Sequence, residues 1–263
     1  MSRPTLITSP YHLGRRNFGL GTGVPVLAET LGKGCEVVGV EIDGSYSNEI
    51  AASFAVVRAI AATVRGTNFP IVLAGNCSSS LGTVTGIGDR EIGVIWFDAH
   101  GDFHTSETTP TGFFDGMPLA MLTGRGWDTL RAGLVSIPAT RVVHVGGRDF
   151  DEGEREQLQE AGVRIVRRTP LDEALDDLRR EVDSVYVHVD LDVLDPSVGR
   201  ANELTVDDGL LLEDVTHAID AIQEPFVVRA AALTAYEPEY DLDGTIPGAA
   251  LAIFDRLTSK VRA

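Results

Sequence analysis

The sequence predicts an α/β protein of three layers, α/β/α, built on a mostly parallel sheet of about eight strands. Three observations carry this. Apolar runs alternate with longer helix-patterned segments along the whole chain. The runs are continuously apolar, as in strands buried on both faces, rather than half polar. Chemically loaded residues collect where the runs end, which is where parallel sheets build their sites.

Thr5–Ser9 is the first strand. Gly14, Gly19, Gly21 and Gly23 follow it, without the dinucleotide spacing or a Gly-Lys-Thr, so they read as a turn into a helix over Val24–Leu31. Glu36–Ile42 is a strand, and Glu49–Arg65, alanine-rich with periodic apolar residues, a helix. Pro70–Ala74 is a strand that turns through Gly75-Asn76-Cys77 into a helix over Ser78–Thr85. Strand 92–97 is followed by a long loop to Gly116 and a helix over Met117–Thr123. Strand Arg141–Val145, charged helix Glu152–Ala161, strand Val163–Val166 and helix Leu171–Glu181 come next. Strand 185–189, helix Leu211–Gln223 with Asp207 or Asp208 near its start, strand Val227–Thr234 and helix Gly248–Val261 complete the chain.

No linker, low-complexity segment or repeat divides residues 1–263, which suit one domain. A net charge of −17 argues against nucleic-acid and anionic-membrane partners. Two cysteines, Cys35 and Cys77, are too few for a disulfide framework. No basic region precedes a long apolar core at the N-terminus, and no apolar window approaches the ~20 residues of a membrane span. The expected compartment is the reducing cytoplasm.

Asp98, His100 and Asp102 leave the end of strand 92–97 at a spacing of two, and alternate side chains of an extended chain share a side. Carboxylates held together without compensation repel and are costly to desolvate, whereas a divalent cation accepts all three groups. Asp190 and Asp192 repeat the design after strand 185–189. Five converging groups exceed what one ion needs; two hard cations with shared carboxylates suit them better. Caps and turn residues would explain one or two, such as Asp195 before Pro196, but not five at matching spacing.

These residues carry a resemblance. Asp98-Ala99-His100-Gly101-Asp102 with Asp190-Leu191-Asp192 resembles the arginase or ureohydrolase family, which includes arginases, agmatinases and formimidoylglutamases. Such enzymes hydrolyse guanidino or amidino groups with two manganese ions. The resemblance covers most of the chain. It includes Ala74-Gly75-Asn76-Cys77-Ser78, where the family has Gly-Gly-Asp-His-Ser, the segment from Gly147 to Glu154, and Asp195-Pro196-Ser197. It implies that Asp98 and Asp190 bridge two metals, that His100 and Asp192 complete one, and that Asp102 and Cys77 complete the other. A water between the cations would become the attacking hydroxide, oriented by Asp102. Asp151 and Glu154 match the acidic residues that hold a substrate α-ammonium.

The departures bear on the metal and the substrate. Cys77 stands in a histidine ligand position; a metal and a helix N-terminus both favour thiolate, and thiolate admits zinc, iron or cobalt beside manganese. Its plainer reading is a small core side chain. His104, Thr111 and Asp115 fall on the family's Asn, Ser and His. Thr111 keeps a serine's hydrogen bonding, and His104 either donates to a substrate carboxylate or sits at the rim. Asp115 replaces the proton-shuttling histidine; an ionised carboxylate is a poor acid, and a loop turn before Gly116 is the simpler reading. The family's guanidinium-anchoring glutamate falls on Ala235, with Glu237 two residues on as the candidate substitute.

The expected activity is hydrolysis of a guanidino C–N bond in arginine or a derivative such as N-hydroxyarginine, giving urea or a substituted urea and an amine. Asp102, His104 and Asp115 are the catalytic candidates. A one-zinc deacetylase of the same architecture and a degenerate-site binding protein are the alternatives. The sequence leaves monomer and homo-oligomer open.

Overall fold

The structure, a computed structural model, describes residues 4–168 and 171–262; residues 1–3, 169–170 and 263 of the expected 1–263 domain lie outside the described residues. The strands are β1 (Thr5–Ser9), β2 (Tyr11–His12), β3 (Arg15–Arg16), β4 (Glu36–Gly39), β5 (Pro70–Ala74), β6 (Gly93–Phe97), β7 (Val142–Val145), β8 (Arg164–Val166), β9 (Ser184–Asp190) and β10 (Val227–Thr234). The helices are α1 (Gly23–Leu31), α2 (Glu49–Val64), α3 (Ser79–Ile87), α4 (Pro118–Leu122), α5 (Asp128–Arg131), α6 (Glu154–Glu160), α7 (Asp172–Arg179), α8 (Leu212–Gln223) and α9 (Ile246–Arg262).

Eight strands form one sheet in the order β4-β1-β5-β10-β9-β6-β7-β8, and each pairing is parallel. Parallel neighbours need crossover helices, and these cover both faces. The period of two sorts each strand between them. Ile71, Leu73, Ile95, Phe97, Val187 and Leu233 meet α1, α7, α8 and α9. Val72, Val94, Trp96, Tyr186 and Ala232 meet Phe54, Ile60, Leu81 and Leu158 on α2, α3 and α6. The expected three-layer architecture is therefore the observed one.

Element ends differ from expectation where tertiary bonds decide them. The expected strand Glu36–Ile42 stops at Gly39, because only Val40 N still reaches Thr8 O. Helix α2 starts on an unforeseen cap, Asn48 Oδ1 accepting from Ala51 N at 2.9 Å. Asp207 and Asp208 do not cap α8; Asp208 pairs with Arg167 and Arg168, while Asp214 Oδ2 accepts from Leu211 N at 3.0 Å. The β2–β3 hairpin and α5 had no sequence signal.

Candidate metal centre and substrate cavity

β5, β6, β9 and β10 are neighbours at the middle of the sheet, and their carboxyl ends open on one cavity of about 220 Å³. Cys77, Asp98, His100, Asp102, His104, Thr111, Asp115, Asp151, Glu154, Asp190 and Asp192 all line it. Glu237 does not. Ala235 adopts a left-handed conformation (φ 62°) and turns the chain, Glu237 N is tied to Ala201 O at 2.8 Å, and the candidate substitute for the missing anchor is carried away from the cavity. Burial and the neighbouring Glu239 and Glu203 push the Glu237 carboxyl above its usual range.

The acids converge, though not by staying extended. β6 ends at Phe97, and Asp102 sits at φ 51°, a conformation that side-chain-bearing residues rarely adopt. The return is fixed by Leu119 N and Ala120 N, which donate to Asp102 O at 2.9 and 3.1 Å. β9 runs on to Asp190, and a short 3-10 turn over Leu191–Val193 swings Asp192 in.

Among the described residues, two triads bring their donor atoms within 4.8 Å of one another: Cys77, Asp98 and Asp102, and Asp98, His100 and Asp192. Asp98 belongs to both. Asp190 is in neither triad; its Oδ2 accepts from the Cys77 thiol at 2.9 Å and its Oδ1 from Asp192 N at 2.9 Å. Asp102 Oδ2 is buried with no hydrogen-bond partner. A buried carboxylate oxygen left bare beside other carboxylates is an unfavourable arrangement that a cation relieves. The donor set thus fits a pair of divalent ions.

The electrostatics agree. Burial, then the neighbouring carboxylates, pushes Asp102 and Asp190 well above the usual range. Burial is the largest single influence on Asp192 and raises it, but the His100 imidazole at 3.4 Å and the hydrogen bonds to the carboxylate, Ala99 N among them, together hold it below its usual value. His100 is raised despite burial, because Asp192 and Asp98 face it. Burial first, then Asp190, Asp102 and Asp115, drives the Cys77 thiol up. The expected help to the thiolate from a helix N-terminus is missing, since a carboxylate occupies it: Asp115 accepts from Cys77 N at 3.2 Å and Ser78 N at 3.1 Å.

Asp115 is no exposed loop turn. It is buried on a 3-10 turn over Phe114–Gly116, and desolvation lifts its carboxyl to about 6 against the pull of its donors. His104 is buried with Nε2 2.9 Å from Asp151 Oδ2. Glu154 supports this loop, its oxygens accepting from Phe103 N at 2.9 Å and Asp151 N at 3.3 Å. Thr111 is exposed at the rim.

Sequence reading missed several supporting residues. Asn202 Nδ2 donates to Ala235 O at 2.7 Å and lies 3.4 Å from Asp192 Oδ2. Trp96 Nε1 donates to Asp98 Oδ2 at 3.0 Å, a contact that period-two spacing allowed for. Arg148 gathers the carbonyls of Asp192, Val193 and Val206 at 2.8, 3.2 and 2.9 Å, holding the turn that carries Asp192. Beneath Cys77, Thr234 Oγ1 lies 3.3 Å from the thiol and 3.3 Å from His188 Nε2. Burial depresses His188 to about 3, so this imidazole is neutral.

A parallel three-layer fold with two acid-rich triads at its strand ends has the architecture and donor set of a metal-dependent hydrolase of the α/β/α class. Comparison narrows the class. The model of the arginase family matches residues 33–258. An arginase of Bacillus caldovelox is 33% identical over 213 residues, 76% of this chain and 71% of that relative. The native arginase structure from the same organism matches with a TM-score of 0.85 at 29% identity, covering 98% of each chain. Formimidoylglutamase of Bacillus subtilis matches in fold alone, with a TM-score of 0.79 at 18% identity over 100% of this chain and 88% of that one. This chain belongs to the arginase family, and its members are binuclear-metal ureohydrolases acting on small guanidino compounds. No helix among the described residues is long and apolar enough to cross a membrane.

Proposed function

We propose that the chain, acting as one domain in the cytoplasm, hydrolyses the guanidino C–N bond of an arginine-like amino acid, with N-hydroxyarginine preferred over arginine. The supporting observation is that Asp98 is common to two donor triads on the floor of an acid-lined cavity. Cys77, Asp98 and Asp102 would hold one ion, Asp98, His100 and Asp192 the other, with Asp190 joining through its contact with Cys77. Manganese is the expected metal, and the thiol also admits zinc, iron or cobalt. Divalent ions held there supply a water acidified to near neutrality as the nucleophile.

The chain's own residues do the rest. Asp102 Oδ2, bare of protein partners, is placed to ligate or to orient the attacking water. Asp151, half exposed at the cavity wall and braced by His104 and Glu154, offers a carboxylate to the substrate's α-ammonium end. Thr111 offers a hydroxyl at the rim. The one-zinc deacetylase reading leaves the second triad without a purpose.

The substrate preference rests on two absences. Asp115 has both oxygens engaged by donors on residues 76–78, and Ala235 brings no carboxylate to hold a full cation. Protonating the strongly basic amine that leaves plain arginine calls for general-acid help, typically worth ~10²–10⁴-fold. The same amine leaves N-hydroxyarginine, but its N-hydroxy group withdraws electrons and makes the guanidino group less basic, so no full cation need be held where Ala235 brings no carboxylate. Measuring kcat/KM for arginine and N-hydroxyarginine on one manganese-loaded sample tests this. Faster N-hydroxyarginine hydrolysis is expected; equal or faster arginine turnover overturns the preference.

A further inference from the structure

We propose that Asp115 is the positioning residue for Cys77, fixing the thiol at its distance from Asp102 by capping the turn that carries it. This rests on the reading of Cys77 as a metal ligand.

Helical winding begins before α3. Ser79 N, Ser80 N and Leu81 N donate to the carbonyls of Asn76, Cys77 and Ser78 at 3.1, 3.0 and 3.2 Å. The amides of Cys77 and Ser78 therefore have no partner within their own helix. Asp115, from a segment 38 residues on, takes both: Oδ2 accepts from Cys77 N at 3.2 Å and Oδ1 from Ser78 N at 3.1 Å. Oδ2 also accepts from Asn76 Nδ2 at 2.6 Å. Asn76 Oδ1 in turn accepts from Leu13 N at 2.7 Å, so the residues on either side of Cys77 are held.

The segment that carries Asp115 also holds the other end of the triad. Its downstream amides, Leu119 N and Ala120 N, bind Asp102 O, and Gly116 O accepts from His104 N at 3.1 Å. One stretch of chain, 115–120, thus grips the Cys77 turn by a carboxylate and the Asp102 turn by two amides. Cys77 and Asp102 are the two members of their triad that the other triad does not share. Three donors meet two carboxylate oxygens. An amide in place of the carboxylate has one acceptor oxygen and would set its own NH2 against a backbone N–H. A mere helix cap would affect stability alone, whereas a positioning residue alters the metal's contact with sulfur.

Cobalt(II)-loaded protein separates these. The wild-type chain should show a sulfur-to-cobalt charge-transfer band. In Asp115→Asn the band should weaken or shift, and cobalt affinity should fall roughly 10–100-fold, the usual cost of losing a group that orients a ligand. In a Cys77→Ala background the same substitution should cost nothing further. No band in the wild-type chain overturns the ligand reading and this proposal with it. A wild-type band that Asp115→Asn leaves unchanged at unchanged affinity, or an equal loss in both backgrounds, overturns the positioning role alone. If Asp115→Asn does not fold, Asn76→Ala removes the 2.6 Å donor and is read in the same way: a weaker or shifted band with lower affinity supports the proposal, and an unchanged band and affinity overturn it.

Discussion

The Cys77 thiol donates to Asp190 Oδ2 across 2.9 Å, joining the turn after β5 to the end of β9. It gives one oxygen of a buried carboxylate a partner while Asp192 and Asp98 crowd it. A cation that takes both groups replaces a shared proton with a shared charge.

Asp190→Ala should lose at least one ion and all hydrolysis. The carboxylate contacts Cys77 and, through its backbone-bonded oxygen, sets the turn that carries Asp192. Metal content by elemental analysis, read with the initial rate, checks this; full occupancy and activity would remove Asp190 from the centre.

Cys77→Ser should slow hydrolysis and abolish any sulfur-to-cobalt absorption. In the wild-type chain, bound metal should protect Cys77 from alkylation. Equal alkylation rates with and without metal would mean that the thiol is a core side chain.

Asn202→Ala should weaken the ion held by Asp98, His100 and Asp192 roughly 10–100-fold, because it frees Asp192 and leaves the Ala235 carbonyl unsatisfied. The bare carbonyl should also cost about 1–3 kcal/mol of folding stability. Metal titration and urea unfolding measure the two effects separately.

Chelation should destabilise the protein. Buried carboxylates that repel one another lose their counter-charge, and an ion at 100 times its Kd contributes ~2.7 kcal/mol. Thermal unfolding before and after chelation, with manganese added back, should show a reversible fall in Tm.

The sheet was legible because its strands are continuous apolar runs, and the two acid clusters because they end those runs. What failed to show were relationships set by distant chain. Nothing in Phe114-Asp115-Gly116 marks Asp115 as the partner of an amide 38 residues earlier. Asn202 carries no periodic or motif signal, since its value lies in spanning Asp192 and Ala235. Glu237 looked like a substitute anchor by spacing alone; alanine gives no hint of the left-handed turn at residue 235 that diverts it. Trp96 and His188 were hidden inside strands, where aromatic residues read as core, although Trp96 donates to Asp98 and His188 backs Thr234 beneath Cys77.

A pair of ions sharing Asp98 is the arrangement on which the proposed chemistry depends. Diffraction from manganese-loaded crystals, collected at the manganese absorption edge, tests it most directly. Two anomalous peaks are expected in the cavity, one against Cys77, Asp98 and Asp102 and one against Asp98, His100 and Asp192. A single peak on the second group alone, with Cys77 and Asp102 contacting no metal, would contradict it.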